Sequence, residues 1–189
     1  MAVILIWLIV LPLAGGLLAW AAGRRYPSAA RWLSLAAVSF QLLLAVMLWI
    51  RYTPEFPDPG ESMWLLQISL PWIPQLGIGF SLSLDGLSLL MILLTAFLGI
   101  ISVLVSWREI NRRVGFYHFN LLWVLAGITG VFLATDLFLF YFFWEMMLIP
   151  MYFLIGIWGH ENRIYAAVKF FLFTQAGGLL MLASIVGLY

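Results

Sequence analysis

The chain has no cysteine and very little charge. None of its 189 residues is a cysteine, and only 9% are charged. The lack of cysteine excludes disulfide bonds, thiolate metal sites and cysteine nucleophiles. Only two histidines occur, His118 and His160, and both lie near predicted helix ends, so we do not expect metal catalysis. The net charge of +1 gives no reason to expect a nucleic-acid partner.

Apolar residues dominate the composition of the chain. Hydrophobic side chains make up 65% of the sequence, and the mean hydropathy is +1.09. A soluble globular domain is about 45–50% apolar and about 25% charged. A chain of this length could not hide so much apolar surface in a core surrounded by water, so its solvent must be lipid. We therefore predict that the lipid bilayer surrounds this protein.

The apolar residues form six long stretches. A helix that spans a bilayer needs about 20 predominantly apolar residues. Six stretches qualify, at about 2–22, 30–50, 84–106, 117–135, 137–158 and 164–188. The first is predicted to remain as a helix, because its arginines follow the apolar run instead of preceding it as in a signal peptide. We predict an all-α membrane protein with about six transmembrane helices in a single region, residues 1–189.

The connection at 51–83 differs from the rest of the chain. It is rich in proline, contains acidic residues and tryptophan, and is the only long connection between predicted helices. Proline lacks a backbone N–H and interrupts regular structure. We predict a loop folded against the membrane surface.

The basic residues predict how the chain is oriented. Eight of the nine lie in or beside the first, third and fifth connections: Arg24, Arg25, Arg31, Arg108, Arg112, Arg113, Arg163 and Lys169. Loops rich in lysine and arginine usually face the cytoplasm. The N-terminus and the loop 51–83 should then be extracytoplasmic.

Glu145 is the residue most suggestive of function. It lies eight residues into the fifth predicted helix, about 12 Å deep at 1.5 Å per residue, near the middle of a hydrocarbon core about 30 Å thick. A charged side chain at that depth costs at least about 2.5–3.5 kcal/mol, and such residues usually mark ion or proton pathways. We predict a proton relay at Glu145. The alternative is a protonated glutamic acid that hydrogen-bonds to a neighbouring helix.

Features around Glu145 add polarity to the fifth helix. Tyr141 and Tyr152 fall on the same helical face as Glu145, and Pro150 is expected to bend the helix. Lys169, in the sixth helix, is the second buried charge, at an axial distance of roughly 12 Å from Glu145. This distance excludes a direct salt bridge. Lys169 either extends to the cytoplasmic interface or is a second relay residue, and both interpretations remain open.

Other residues predict packing and helix ends. Gly15, Ala19 and Gly23 recur at four-residue spacing, which favours close approach of another helix. Asp85 and Asp136 stand at helix starts and are predicted N-caps. Two further predictions concern polar residues in the later helices: Gln175 is expected to hydrogen-bond between helices, and His118 and Asn120 to form an interfacial helix end.

Two sequence motifs carry a family resemblance. Residues 85–90 read DGLSLL and residues 143–152 read FWEMMLIPMY, and the similarity continues through KFF at 169–171 and TQA at 174–176. With these motifs the chain resembles the subunit M family, antiporter-like membrane subunits of bacterial NADH–quinone oxidoreductase (respiratory complex I).

The resemblance implies a fold and a function. It implies an antiporter-like fold of about fourteen helices, built as two inverted repeats, of which this chain would be the N-terminal part. Glu145 matches the family's fifth-helix glutamate, which works with a lysine expected past Tyr189. Protons would move through the subunit, driven by electron transfer from NADH to quinone. NADH, flavin, iron–sulfur clusters and quinone would bind other subunits, with no cofactor in this chain. Its partners would be other membrane subunits in the bacterial inner membrane.

Two alternatives remain open at the level of the sequence. The first is a subunit of a multisubunit sodium/proton antiporter or of a membrane-bound hydrogenase, which share the antiporter-like architecture. The second is a structural membrane subunit that moves no ions.

Overall fold

The computed structural model describes residues 2–52 and 64–188. Within these residues the helices are α1 (Val3–Gly23), α2 (Pro27–Tyr52), α3 (Gly86–Glu109), α4 (Val114–Leu133), α5 (Leu137–Met146), α6 (Leu148–Trp158) and α7 (Arg163–Leu188). Helices α5 and α6 together form one apolar span, and the described residues contain six spans long and apolar enough to cross a membrane. The prediction of about six such helices is confirmed.

The bounds differ from the predicted ones by a few residues in most places. The fourth helix begins at Val114 instead of residue 117, and the third begins at Gly86 instead of residue 84. The largest difference is in the fifth span, which the structure divides into two helices.

The long connection contains a β-hairpin. Strand β1 (Leu66–Ile73) pairs antiparallel with β2 (Ile78–Leu84), and a 3-10 turn at Pro74–Leu76 joins them. Gly77 ends that turn with a φ of 66°, a left-handed conformation that glycine adopts without a steric penalty. Polar and apolar residues alternate along the paired strands, and Leu82 and Leu84 are buried.

The loop predicted at 51–83 therefore contains regular structure that was not predicted. Residues 53–63 lie outside the described part, but from residue 66 onward the connection is regular. The backbone N–H of Thr135 donates to the carbonyl of Ser81 at 3.1 Å. The hairpin therefore packs where α4 ends and α5 begins.

Small residues let α1 and α4 approach closely. A Cβ atom built on Gly115 would lie 2.9 Å from the carbonyl oxygen of Ala19 and 3.0 Å from the Cα of Gly23. Real Cβ atoms rarely come so close to backbone. The predicted close-packing face of the first helix is thus confirmed, with α4 as its neighbour.

A buried side-chain amide joins three helices. Gln41 of α2 has no exposed surface, and its Nε2 donates to the carbonyl of Leu8 in α1 and to Oγ1 of Thr129 in α4, both at 3.0 Å. The Thr129 hydroxyl in turn donates to the carbonyl of Leu125 at 2.8 Å. In lipid, where water does not compete, each such bond between helices contributes about 1 kcal/mol.

The connections α1–α2, α3–α4 and α6–α7 meet at one end of the bundle. Nη2 of Arg31 donates to the carbonyl of Ile110 at 3.0 Å and to Oδ1 of Asn111 at 3.2 Å. Nε1 of Trp158 donates to the carbonyl of Arg112 at 3.0 Å. We call this the basic end, after the arginines that gather there: Arg24, Arg25, Arg31, Arg108, Arg112, Arg113 and Arg163. The hairpin lies at the opposite end.

Candidate functional site

The fifth membrane span has an irregular turn beside Glu145, although Met147 keeps helical φ and ψ angles. Helix α5 ends at Met146 and α6 begins at Leu148, with Met147 between them. Pro150 has no N–H to donate to the carbonyl four residues earlier, that of Met146, so the regular bonding fails there. This irregular turn lies within two residues of Glu145, and the bend expected at Pro150 stays a prediction.

Two aspartates fix where helices begin at the hairpin end. Oδ1 of Asp136 accepts from the N–H groups of Phe138 and Leu139 at 2.9 and 3.0 Å, and its Oδ2 accepts from Gly79 in the hairpin at 3.3 Å. Asp85 accepts from the N–H of Ser88 at 2.7 Å. Both predicted N-caps are confirmed. The start of α5 is therefore tied to the hairpin.

Contacts with glycines of α4 fix the rotation of the fifth span about its own axis. A Cβ on Gly130 would overlap the ring of Phe143, and one on Gly127 would overlap Met147 and lie 3.2 Å from its Sδ. Phe143 and Met147 therefore both pack on α4. Glu145, two residues from each, is rotated about 200° away from them at 3.6 residues per turn. Its side chain consequently points away from α4.

The Glu145 carboxyl lies against a glycine of α7. A Cβ built on the buried Gly178 would overlap Oε1 of Glu145, and would lie 3.2 Å from its Cδ and 3.9 Å from its Oε2. Oε1 is itself buried and has no hydrogen-bond partner among the described residues. A buried oxygen without a partner is a strong site for a proton or for a donor from outside this chain.

Lys169 does not face this carboxyl. It is exposed, and its Nζ lies 5.8 Å from the ring centroid of Tyr165 and 6.0 Å from that of Phe173. Nine residues separate Lys169 from Gly178, which places them about 180° apart around α7. The structure does not bring the two predicted relay residues together.

Other polar residues lie on the fifth span and on α7. Tyr141, one turn before Glu145, interacts with its carboxyl electrostatically and through a side-chain hydrogen bond. The ring of Tyr152 in α6 packs on Phe171 of α7, with centroids 5.8 Å apart. Gln175 is half-buried, about 60° around α7 from Gly178.

His118 and Asn120 differ from their prediction. Because α4 begins at Val114, both residues lie inside the helix and are buried instead of forming an interfacial end. Nδ2 of Asn120 donates to the carbonyl of Phe116 at 2.6 Å, whereas neither ring nitrogen of His118 has a partner in the described part of the chain.

The chemistry available is that of a single carboxyl. Among residues 2–52 and 64–188, no three histidine, aspartate or glutamate side chains come together as metal ligands would. A carboxyl can bind and release one proton, and that of Glu145 lies beside the irregular turn at Met147.

The chain is similar to known membrane subunits along most of its length. Residues 134–189 match a family described as NADH:quinone oxidoreductase/Mrp antiporter, TM. NADH-quinone oxidoreductase subunit M of Pseudomonas aeruginosa is 56% identical over 195 aligned positions, which cover 98% of this chain. The chain belongs to the subunit M family. It spans 38% of the length of the P. aeruginosa subunit.

Solved structures agree with this membership. Respiratory complex I from Thermus thermophilus contains a chain that matches 99% of this one, with a TM-score of 0.77 and 28% identity, and 35% of that chain is covered. A chain of the Mrp complex from Dietzia matches 95% of this chain, and the match covers 18% of the Mrp chain. The TM-score of 0.76 at 24% identity shows a shared fold. The antiporter-like fold class predicted from the sequence is thus confirmed for this member of the subunit M family.

The sequence interpretation did not single out Gly178 as part of the site. Adjacent glycines at 177 and 178 in an apolar helix were the available signal, since glycine lowers helix stability and a packing reason is expected for it. Which of the two glycines faces Glu145 depends on how α7 is rotated, and the sequence alone does not give that rotation.

Proposed function

We propose that this chain is part of a proton-translocating membrane subunit of NADH–quinone oxidoreductase, with Glu145 as a proton relay. The observation that carries the proposal is the Glu145 carboxyl itself, whose Oε1 is buried without a partner among the described residues, beside an irregular turn of the helix. A purely structural carboxyl in lipid would be expected to satisfy both of its oxygens within its own bundle. The family membership supplies the enzyme complex in which this relay would operate.

The relay would work through the charge near the carboxyl. Desolvation favours the neutral form of a carboxyl, and an approaching cation favours the charged form. A lysine from outside this chain would move the proton on and off Glu145 as it approaches and withdraws. Tyr141, which interacts with the carboxyl, would help to hold water in its path.

The redox chemistry would take place in other subunits. NADH, flavin, iron–sulfur clusters and quinone would bind there, and this chain would hold none of them. Its partners would be the neighbouring membrane subunits, the surrounding lipid and the protons that pass through it. The enzyme would thus be the whole complex, an NADH:quinone oxidoreductase that is also a proton translocase.

We also propose the orientation in a bacterial inner membrane. The arginines of the basic end support a cytoplasmic position for that end, with the hairpin and the N-terminus outside. Lys169, which lies in the first turns of α7 near the basic end, would then extend its ammonium to the cytoplasmic interface.

The orientation predicts opposite labelling of two single cysteines. Arg112 and Gln75 are both exposed, at the basic end and the hairpin turn respectively. In this cysteine-free chain, Gln75→Cys should react with an impermeant maleimide added to intact cells, and Arg112→Cys should react only after the membrane is opened. Labelling of Arg112→Cys from outside would reverse the proposed orientation.

The function is tested by removing the chain's gene and restoring it. Inside-out membrane vesicles from the deletion strain should lose NADH-driven acidification of their lumen, and the restored gene should return it. An uncoupler should abolish the signal and a sodium ionophore should not.

The alternatives predict other outcomes for the same vesicles. Loss of sodium-dependent proton exchange with intact NADH-driven acidification would favour the antiporter, a subunit class that shares this fold. Loss of hydrogen-dependent activity alone would favour the hydrogenase.

A further inference from the structure

We propose that Gly178 is a positioning residue for the Glu145 carboxyl, and that its missing side chain is what lets the carboxyl lie at the surface of α7. The inference rests on the proposed relay and assigns a second residue to it. Gly178 would itself carry no proton.

The geometry leaves no room for both a side chain at 178 and the present carboxyl. The smallest side chain, a methyl group, would overlap Oε1 of Glu145 and sit 3.2 Å from Cδ. Towards α4, Phe143 and Met147 occupy the space over the glycines of that helix. The carboxyl instead lies against α7 at Gly178, where no Cβ is in its way.

A methyl group at 178 would displace the carboxyl without separating the helices. The three nearest atoms within 4 Å of this methyl group all belong to the end of the Glu145 side chain, which is flexible. None of them is a backbone atom. Glutamate can turn about its side-chain torsions to relieve the overlap. The predicted effect of Gly178→Ala is thus a misplaced carboxyl in a folded span, which distinguishes it from ordinary overpacking.

The adjacent residue offers a matched control. A Cβ on Gly177 would meet nothing within 4 Å in the described chain. Gly177→Ala makes the same chemical change one residue away, with the same small gain in helix propensity. Only the direction of the added methyl differs between the two variants.

The experiment compares these variants in the assembled complex. Proton uptake per NADH oxidised, and its pH profile, are measured in membrane vesicles with assembly checked on native gels. Because a misplacement of about 1 Å can lower a rate by as much as about 10²-fold, we expect Gly178→Ala to lower proton uptake about tenfold and to shift the pH profile. Gly177→Ala should match the unmodified complex in both.

A double variant tests whether the loss acts through Glu145. Aspartate is one methylene shorter, so Glu145→Asp withdraws the carboxyl from the added methyl. The Gly178→Ala/Glu145→Asp pair should therefore retain more proton uptake than the product of the two single losses predicts. If the loss of proton uptake in the double variant equals the product of the two single losses, the inference is wrong.

Failure of this inference and failure of the relay give different results. If Glu145→Gln stops pumping but Gly178→Ala behaves like Gly177→Ala, the relay stands and the positioning role is wrong. If Glu145→Gln pumps normally, the relay itself is wrong. Equal impairment by both glycine variants would also contradict the inference, because it would indicate general packing.

Discussion

Replacing Glu145 with glutamine is expected to stop proton pumping in a complex that still assembles. Glutamine has nearly the shape of a protonated glutamic acid and fits beside Gly178, but it cannot release a proton. The loss of an essential proton-transfer group typically lowers a rate by about 10²–10⁴-fold. We expect NADH-driven proton uptake in vesicles to fall by at least about a hundredfold.

A graded control accompanies this substitution. Glu145→Asp remains ionisable but moves the carboxyl back by one methylene, so part of the pumping should persist. If Glu145 is only a structural hydrogen-bonding group, glutamine should be nearly neutral because the amide replaces the protonated acid. Normal pumping by a fully assembled Glu145→Gln complex would leave the structural interpretation standing.

Gly115→Ala is expected to destabilise the subunit strongly, although it adds only one methyl group. The added methyl would lie 2.9 Å from the Ala19 carbonyl and 3.0 Å from the Gly23 Cα, and backbone atoms cannot turn aside as a side chain can. Overpacking of this kind costs about 1–3 kcal/mol, and more when the main chain must move. The measurement is the yield of the subunit in the assembled complex and its thermal unfolding midpoint in mild detergent.

Gly156→Ala in α6 is the matched control. Within 4 Å in the described part of the chain, its Cβ would meet only the Cβ of Ala167, at an ordinary contact distance of 3.5 Å. Alanine also has the higher helix propensity, so this variant should be neutral or slightly more stable. Equal yields and midpoints for the two variants would mean that α1 and α4 are not held in this close contact.

Hydropathy alone was sufficient to predict the membrane helices. Apolar runs of about 20 residues have few other solutions in lipid, because every backbone N–H and C=O must bond within the span. The caps at Asp85 and Asp136 were predictable for a similar reason, since a helix start leaves donors that a nearby carboxylate accepts. Both features depend only on residues close together in the sequence.

Features that depend on contacts between distant segments were missed. The hairpin had a local signal, the alternation of polar and apolar residues at Phe80–Leu84, but the prolines of the connection masked it. Gln41 gave no sign of which helices it joins. The meeting of Glu145 with Gly178 requires the rotation of α5 and of α7, and each rotation is fixed by packing on other helices.

The two anchors of α2 also determine how long that helix must be between them. Arg31 binds the turn between α3 and α4, and ten residues later Gln41 binds α1 and α4. Inserting or deleting one residue between them would rotate one anchor by about 100° and shift it by about 1.5 Å relative to the other. One set of bonds would then be lost whichever way the helix settled. The spacing from Arg31 to Gln41 is therefore constrained as strongly as the two side chains, and this segment should not tolerate changes in length.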